Sequence, residues 1–273
     1  MPTILLDDKK LKKVEQQLSL RSANTADTYG IVINAFMKFC GGDVQHEKVL
    51  PFLRKVGINS MQNRYYGVKF FLNNLGEEMP VTLHDILGNQ HIKRTKDVMS
   101  NDEIAAFIRT VRRDYGTIEI GYAALTTIYA ARRVEAYNIA ANDIEEDTLT
   151  IYAAKGGQER VHLIPAQLKD VMKDFKHDLK RIKKKPVITA LNYFFDDVCD
   201  KALIELRPRM GFHSFRRSFI SHMLNLEFNA FLLRDFCRWK TREKDIMANY
   251  YISDYRITDP KVFAVHPYLQ YWE

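Results

Sequence analysis

The sequence has 273 residues, 46% of them hydrophobic and 27% charged, which excludes a mostly disordered chain and, at about 150 residues per domain, predicts one large domain or two ordinary ones. No apolar run approaches the roughly 18 residues that span a bilayer, the N-terminus is no signal peptide, and the three cysteines form neither a disulfide framework nor a CxxC metal pair, so we expect a reduced cytoplasmic protein. The formal net charge of +7 favours a polyanionic partner without identifying it.

The first 80 residues have the pattern of an all-helical unit. A helix is predicted from Asn24 or Thr25, with apolar residues spaced by three and four, and Gly41 provides a left-handed stop. A short helix is predicted over 49–56 and a longer one over 60–76. The Tyr and Phe side chains on these helices are expected to form a core.

Residues 81–98 have little periodicity and carry Lys93, Arg94 and Lys96. We interpret this stretch as a basic interdomain linker.

Residues 99–273 are predicted to form a second, larger helical unit with one β-hairpin, so the fold class is mainly α with a small sheet (α+β). A capping box at Ser100–Glu103 begins its first helix. Between Asp143 and Pro165 the apolar period changes to two, which predicts a hairpin with Lys155 at its turn. Further helices are predicted over 166–181, 190–204, 214–224, 229–236 and 243–252.

Five segments carry residues with useful chemistry. They supply two arginines, a turn lysine, a histidine, an indole N–H donor and a pair of tyrosines: Arg132, Arg216, Lys155, His213, Trp239, Tyr250 and Tyr251. Arginine forks match phosphate oxygens, and this set can grip a phosphate without a metal. There is no acidic cluster suited to Mg²⁺ and no glycine-rich phosphate loop, so we expect no cofactor.

The order and spacing of these segments resemble the tyrosine recombinase (phage integrase) family. YAARRVEAYNI (129–139) aligns without a gap to the family's TGLRISELLNL-like motif, and HSFRR (213–217) resembles its HxLRH/K box. Each motif alone is weakly specific, but five in the family's order are much more so. The resemblance covers about residues 15–255 and implies a helical core-binding domain (1–80), the linker (81–98) and a catalytic domain with a C-terminal tail (99–273).

The resemblance implies a site-specific recombinase that cleaves and rejoins DNA through a 3′-phosphotyrosyl intermediate, with no metal or ATP. Arg132 and Arg216 would stabilise the phosphate charge, Lys155 would protonate the leaving oxygen, and His213 would assist proton transfer. Trp239 would donate its indole N–H or fix the geometry. Glu135 would orient a neighbouring basic group or form an ordinary surface ion pair.

The resemblance also implies partners. Double-stranded DNA carrying a specific recombination site would bind four copies of the chain, with monomers or dimers in its absence. Lys93, Arg94 and Lys96 in the linker would contact DNA phosphates, and Arg217 and Lys240 would add further phosphate contacts. The C-terminal tail could pack on a neighbouring subunit. The protein would associate with the nucleoid of its own cell or of a host cell.

The sequence departs from the family's pattern near the nucleophile. Trp239 lies 11 residues before Tyr250 and 12 before Tyr251, a longer spacing than the family usually has. We favour Tyr251 because Met247 lies four residues earlier, a pattern found in some phage integrases; Tyr250 is the alternative. Ala130 stands where the family usually has glycine.

Two other functions fit the same residues. One is a type IB topoisomerase-like enzyme that nicks and closes DNA, and the other is a DNA-binding protein that kept the fold and lost cleavage. The departures from the motifs favour an integrase carried by a mobile element, such as a virus or plasmid, over a chromosome-dimer resolvase.

Overall fold

The computed structural model describes residues 3–4, 7–42, 44–87, 98–154, 159–182, 185, 187–239 and 254–273. The chain divides into two units, Met1–Arg94 and Thr95–Glu273, and each has its own hydrophobic core. The division falls inside the segment predicted as a linker. The domain limits 1–80, 81–98 and 99–273 stay a prediction.

The first unit is built around two long helices that pack on each other, α2 and α4. Its elements are β1 (Thr3–Ile4), α1 (Asp8–Ser19), α2 (Ala23–Cys40), β2 (Val44–Gln45), a 3-10 turn (His46–Lys48), α3 (Val49–Arg54), α4 (Ile58–Leu75) and α5 (Leu83–Leu87). The expectation of an all-helical unit is corrected by the short antiparallel pair of β1 and β2. A two-residue strand is too short to produce a visible alternation in the sequence.

The ends of the long helices follow the local signals. Gly41, at φ 77°, and Gly76, at φ 84°, end α2 and α4 in the left-handed conformation, as predicted. The helix α5 lies within the predicted linker, and Leu83 and Ile86 pack against the core of the first unit. The beginning of the predicted linker therefore belongs to the first unit.

The second unit surrounds a buried central helix, α7. Its elements are α6 (Asn101–Asp114), α7 (Thr117–Thr127), α8 (Arg133–Asn138), a 3-10 turn (Ala141–Asp143), β3 (Thr148–Ile151), β4 (Arg160–Leu163), a 3-10 turn (Ala166–Leu168), α9 (Lys169–Arg181), α10 (Ala190–Lys201), α11 (Phe212–Asn225), α12 (Ala230–Phe236), α13 (Tyr255–Phe263) and a 3-10 turn (Leu269–Trp272). Every residue of α7 from Gly121 to Thr127 is buried. The capping box of α6 is confirmed, because Ser100 and Glu103 exchange both of its hydrogen bonds.

The predicted hairpin is confirmed, with an unexpected face on its second strand. In β3, Leu149 and Ile151 are buried as the alternation predicts. In β4 the buried residues are Arg160 and His162, whereas the apolar Val161 is only partly buried. Asp235 on α12 and Asp259 on α13 reverse the usual order, because these charged partners make burial of Arg160 and His162 favourable.

The C-terminal residues pack on the second unit of the same chain, and packing of this tail on a neighbouring subunit stays a prediction. The buried ring of His266 donates from Nε2 to the carbonyl oxygen of Ile128, at 3.0 Å. Arg112 donates to the carbonyl oxygens of Tyr271, at 3.1 Å, and Glu273, at 2.7 Å. Within the described part of the chain, no helix is both long and apolar enough to cross a membrane.

We predict that Gly121→Ala destabilises the protein by about 1–3 kcal/mol. A methyl group at this position would overlap the ring of Phe175, which is fully buried in α9. Gly30→Ala is the matched control, because Gly30 also lies within a helix and its added methyl would meet nothing. That control should gain about 0.5–1 kcal/mol from helix propensity. Urea unfolding measures both values, and equal effects would contradict the packing argument.

Candidate active site

A cleft of about 670 Å³ in the second unit brings together the predicted catalytic residues that the structure describes. Arg132, His213, Arg216 and Trp239 all line it. The full lining comprises these four residues and Arg133, Val134, Ala154, Asn192, Gly211, Phe212, Arg217 and Ile220. The cleft is therefore strongly cationic, as a site for a phosphate group must be.

The other predicted site residues lie outside the described ranges. They are the predicted lysine of the hairpin turn, both candidate nucleophiles and four predicted DNA contacts: Lys155, Tyr250, Tyr251, Lys93, Arg94, Lys96 and Lys240. Ala154, the residue immediately before Lys155, lines the cleft.

A buried carboxylate, that of Glu135, organises the floor of the cleft. Its side chain is only 1% exposed, which excludes the alternative of a surface ion pair. It accepts hydrogen bonds from the backbone N–H of Arg132 at 2.8 Å, the backbone N–H of Ala154 at 3.2 Å, and Nη2 of Arg238 at 3.1 Å. One carboxylate thus joins the start of α8, the hairpin and the end of α12.

The charge of Glu135 is stable in this buried site. Burial alone would raise its pKa, but Arg238 and Arg132 outweigh that effect and hold the pKa at about 2. The guanidinium of Arg132 pairs directly with the same carboxylate. Arg132 is therefore fixed at the first turn of α8 while its side chain stays partly exposed in the cleft.

Arg216 reaches the cleft from the interior of α11. Its guanidinium donates to the carbonyl oxygen of Ala130 at 2.8 Å and to that of Cys237, and its Nη1 lies 3.9 Å from Glu135 Oε2. Burial lowers its pKa to about 10, which leaves it charged at neutral pH. The two carbonyl groups fix the plane of the guanidinium beside the cleft.

Trp239 and His213 complete the predicted set. The indole ring of Trp239 lies 5.6 Å from the Arg216 guanidinium carbon and is 40% exposed, so it can meet a ligand. Burial, together with Arg217, Arg216 and Arg132, lowers the pKa of His213 to about 4. His213 is therefore neutral at pH 7 and able to accept a proton.

Arg133 and Arg217 add further positive charge to the cleft wall. Arg133 is hydrogen-bonded to the side-chain oxygen of Asn192 in α10. Arg217 donates to the carbonyl oxygen of Arg209 at 3.0 Å and to the hydroxyl of Ser214 at 3.1 Å. Arg217 was predicted from the sequence as a DNA contact. No role was predicted for Arg133 from the sequence.

A buried polar network behind the cleft was missed in the sequence. Arg238 donates to His162 Nε2 at 2.8 Å, and His162 Nδ1 lies 3.1 Å from Asp259 Oδ2. Arg160 donates to Asp259 at 2.9 Å and to Asp235. The only signal was the unusual pair of polar residues on the face of β4 that faces the core. Across the described ranges, no three His, Cys, Asp or Glu side chains form a group that could hold a metal ion.

We predict that Glu135→Gln destabilises the protein by about 3–5 kcal/mol at pH 7, because it leaves Arg238 buried without its carboxylate. The pKa of Glu135 is about 2 in the folded state against 4.5 for the free group. Its ionised form therefore stabilises the fold above pH 4.5, and that contribution falls as the pH drops towards 2. The difference in free energy of unfolding between Glu135→Gln and wild type should therefore narrow as the pH falls below 4.5.

The matched control is Glu103→Gln, since glutamine keeps the capping box and removes only a partly exposed pair with Arg207. It should cost about 1 kcal/mol or less. Urea unfolding from pH 7 to pH 3 measures both variants. Equal losses at pH 7 would contradict a special role of Glu135 in stability.

No protein-family model matches the sequence, and no curated protein is detectably similar to it. Solved structures share its fold at low sequence identity. The chain is similar to the XerH site-specific recombinase bound to a palindromic difH substrate, with a TM-score of 0.66 and 15% identity over 87% of this chain and 84% of that one. For the Tn1549 transposon integrase in complex with circular intermediate DNA the values are 0.61 and 12%, over 94% and 99%. For a lambda integrase dimer bound to a COC′ core site they are 0.58 and 14%, over 93% and 78%. The chain therefore has the fold of the tyrosine recombinases.

Proposed function

We propose that the protein is a site-specific DNA recombinase that cleaves and rejoins DNA through a 3′-phosphotyrosyl intermediate. The observation that carries the proposal is the cleft in which Arg132, Arg216, a neutral His213 and Trp239 surround one space. The similarity to recombinases and integrases solved with DNA supports DNA as the substrate.

In the proposed reaction a tyrosine hydroxyl attacks the scissile phosphodiester and displaces the 5′-oxygen. The phosphotyrosyl bond replaces the phosphodiester bond, so its energy is conserved and rejoining needs neither ATP nor a metal. Negative charge grows on the non-bridging oxygens during the attack. Arg132, paired with Glu135, and Arg216, held by the carbonyl oxygens of Ala130 and Cys237, stabilise it by roughly 2.7–4 kcal/mol each.

Proton transfers complete the proposed cycle. Lys155 protonates the departing 5′-oxygen, and His213, which is neutral at pH 7, assists removal of the tyrosine proton. Trp239 packs on Arg216 and offers its indole N–H to the phosphate. Tyr251 is the proposed nucleophile and Tyr250 the alternative.

The proposed partner is duplex DNA with a specific recombination site, on which four copies assemble. The first unit would be the core-binding domain, and Lys93, Arg94, Lys96, Arg217 and Lys240 would contact phosphates. Each such contact steepens the dependence of log affinity on log salt by about 0.9. We favour integration of a mobile element as the biological role of this reaction.

The decisive experiment needs no known target site. The protein is incubated with a pool of duplexes that carry a randomised core and a nick, so that the cleaved strand end is lost and the covalent adduct is trapped. Denaturing capture and sequencing then recover any target. Strand exchange between captured duplexes supports recombination. Relaxation of a supercoiled plasmid that carries the captured sequence, without strand exchange, indicates a nicking-closing enzyme, and absence of adducts on bound DNA indicates a non-cleaving protein.

We predict that Arg132→Ala and Arg216→Ala still bind the selected duplex but cleave it at least about 100-fold more slowly, because each removes a donor to the developing phosphate charge. Single-turnover formation of the adduct measures the rate, and gel-shift titration measures binding. Arg112→Ala is the control, since Arg112 contacts the C-terminal carbonyl groups and lies outside the cleft lining. A wild-type rate in either cleft variant would contradict its proposed role.

We predict that Tyr251→Phe abolishes the covalent adduct, because phenylalanine keeps the ring and removes the attacking oxygen. Tyr250→Phe is the matched neighbour and should keep the adduct, since adjacent residues of the helix predicted over 243–252 would point about 100° apart. Mass spectrometry of the DNA-linked peptide identifies the attached residue. A link to Tyr250 would reverse the assignment.

A further inference from the structure

Arg238 stands at a position where helices usually have glycine. It is the first residue beyond the end cap of α12 and has a φ of 57°, in the left-handed region. Its backbone N–H donates to Asp235 and the N–H of Trp239 donates to Arg234, the pattern of a Schellman motif. A residue with a side chain is strained in this conformation by roughly 1–2 kcal/mol.

Two other helices of the second unit end in the same way, but their side chains face solvent. Leu203, after α10, has a φ of 55° and is 94% exposed, and Glu227, after α11, has a φ of 56° and is exposed as well. Arg238 is only 3% exposed. Of these three, Arg238 alone combines backbone strain with the burial of a charge, so its side chain must make strong contacts in return.

The contacts of Arg238 run towards the cleft on one side and away from it on the other. Nη2 donates to Glu135 at 3.1 Å and to the carbonyl oxygen of Tyr129 at 3.1 Å. Nη1 donates to His162 Nε2 at 2.8 Å and to the carbonyl oxygen of Phe236 at 3.1 Å. One guanidinium thus joins Glu135, which holds Arg132, to the buried strand β4.

The chemistry of arginine defines the protonation of His162. Arginine only donates hydrogen bonds, so His162 Nε2 must be the acceptor and the proton must lie on Nδ1, which donates to Asp259 at 3.1 Å. Burial lowers the pKa of His162 to about 4, in agreement with a neutral ring. Asp259 also accepts the backbone N–H of Leu163 at 2.8 Å, which anchors α13 to the same strand.

We infer that Arg238 is a positioning residue of the proposed cleavage site. Neutral His162, itself bonded to Asp259, holds the Arg238 guanidinium, which fixes the position of Glu135 and, through it, that of Arg132. The inference rests on the proposed function. Arg238 lies outside the lining of the cleft and is not assigned a contact with DNA.

Arg238→Gly tests the inference, because glycine fits the left-handed backbone and only the side chain is lost. The variant should bind the selected duplex like wild type, whereas its single-turnover cleavage should slow by roughly 100-fold from a misplaced Arg132. Added guanidinium ion, below denaturing concentration, should restore part of the rate by filling the vacated position. A purely structural loss would lower binding and cleavage together, in proportion to the unfolded fraction.

Arg112→Ala is the control, since Arg112 donates to the carbonyl oxygens of Tyr271 and Glu273 and belongs neither to the cleft lining nor to the support of His162 and Asp259. It should lose stability and keep a cleavage rate close to that of wild type. If Arg238→Gly does not fold, Arg238→Lys replaces it, because lysine retains the charge without the fork. A wild-type cleavage rate in the folded variant at position 238 would overturn the inference.

A second measurement does not depend on catalysis. Nitrogen-15 spectra of histidine-labelled wild type should give His162 a protonated Nδ1 and a bare Nε2 at pH 7, and Arg238→Gly should change the Nε2 signal. A proton on Nε2 would overturn the proposed support. If wild type forms no adduct with any duplex, the proposed function fails; if wild type cleaves and Arg238→Gly cleaves equally well, only this inference fails.

Discussion

The ion pairing around one buried carboxylate holds the second unit and its cleft together. Glu135 pairs with Arg132 and Arg238 and lies 3.9 Å from Arg216. A carboxylate without these partners would be too costly to bury, and the guanidinium groups without it would repel one another. Their charges are therefore stable only as a set, and the cleft forms when α8, α11 and the end of α12 come together.

The ion pairing around Glu135 continues away from the cleft through a chain of charged and neutral side chains. Arg238 is charged, His162 is neutral and Asp259 accepts from both Arg160 and His162. Because a neutral imidazole can donate on one side and accept on the other, it connects an arginine to a carboxylate without adding charge. This arrangement joins β4 to α13, two elements that lie far apart in the sequence.

Much of the local structure could be predicted from the sequence because its signals are local. The capping box at Ser100, the left-handed stop at Gly41 and the alternation in β3 each act within a few residues, and all three are confirmed. The motifs also led to four residues that line one cleft. Their catalytic roles stay predictions.

The features missed in the sequence depend on partners distant along the chain. The face of β4 is reversed because His162 finds Asp259, 97 residues away, and Arg238 is buried because it finds Glu135, 103 residues away. The alternation of apolar residues along a strand carries no information about partners so distant in the sequence. Arg238 is buried while the neighbouring Trp239 is exposed, the reverse of what their residue types predict. Pro260 lies inside α13, although proline is usually disfavoured within a helix.

The non-glycine residues that end α10 and α11 have a consequence for adaptation of the protein. Leu203 and Glu227 have the left-handed strain of Arg238, yet their side chains lie in solvent. Glycine at either position would relieve that strain without removing a buried contact. The chain therefore holds unused capacity for thermal stabilisation at two positions outside the lining of the cleft, where a loss of stability from changes within the cleft could be offset.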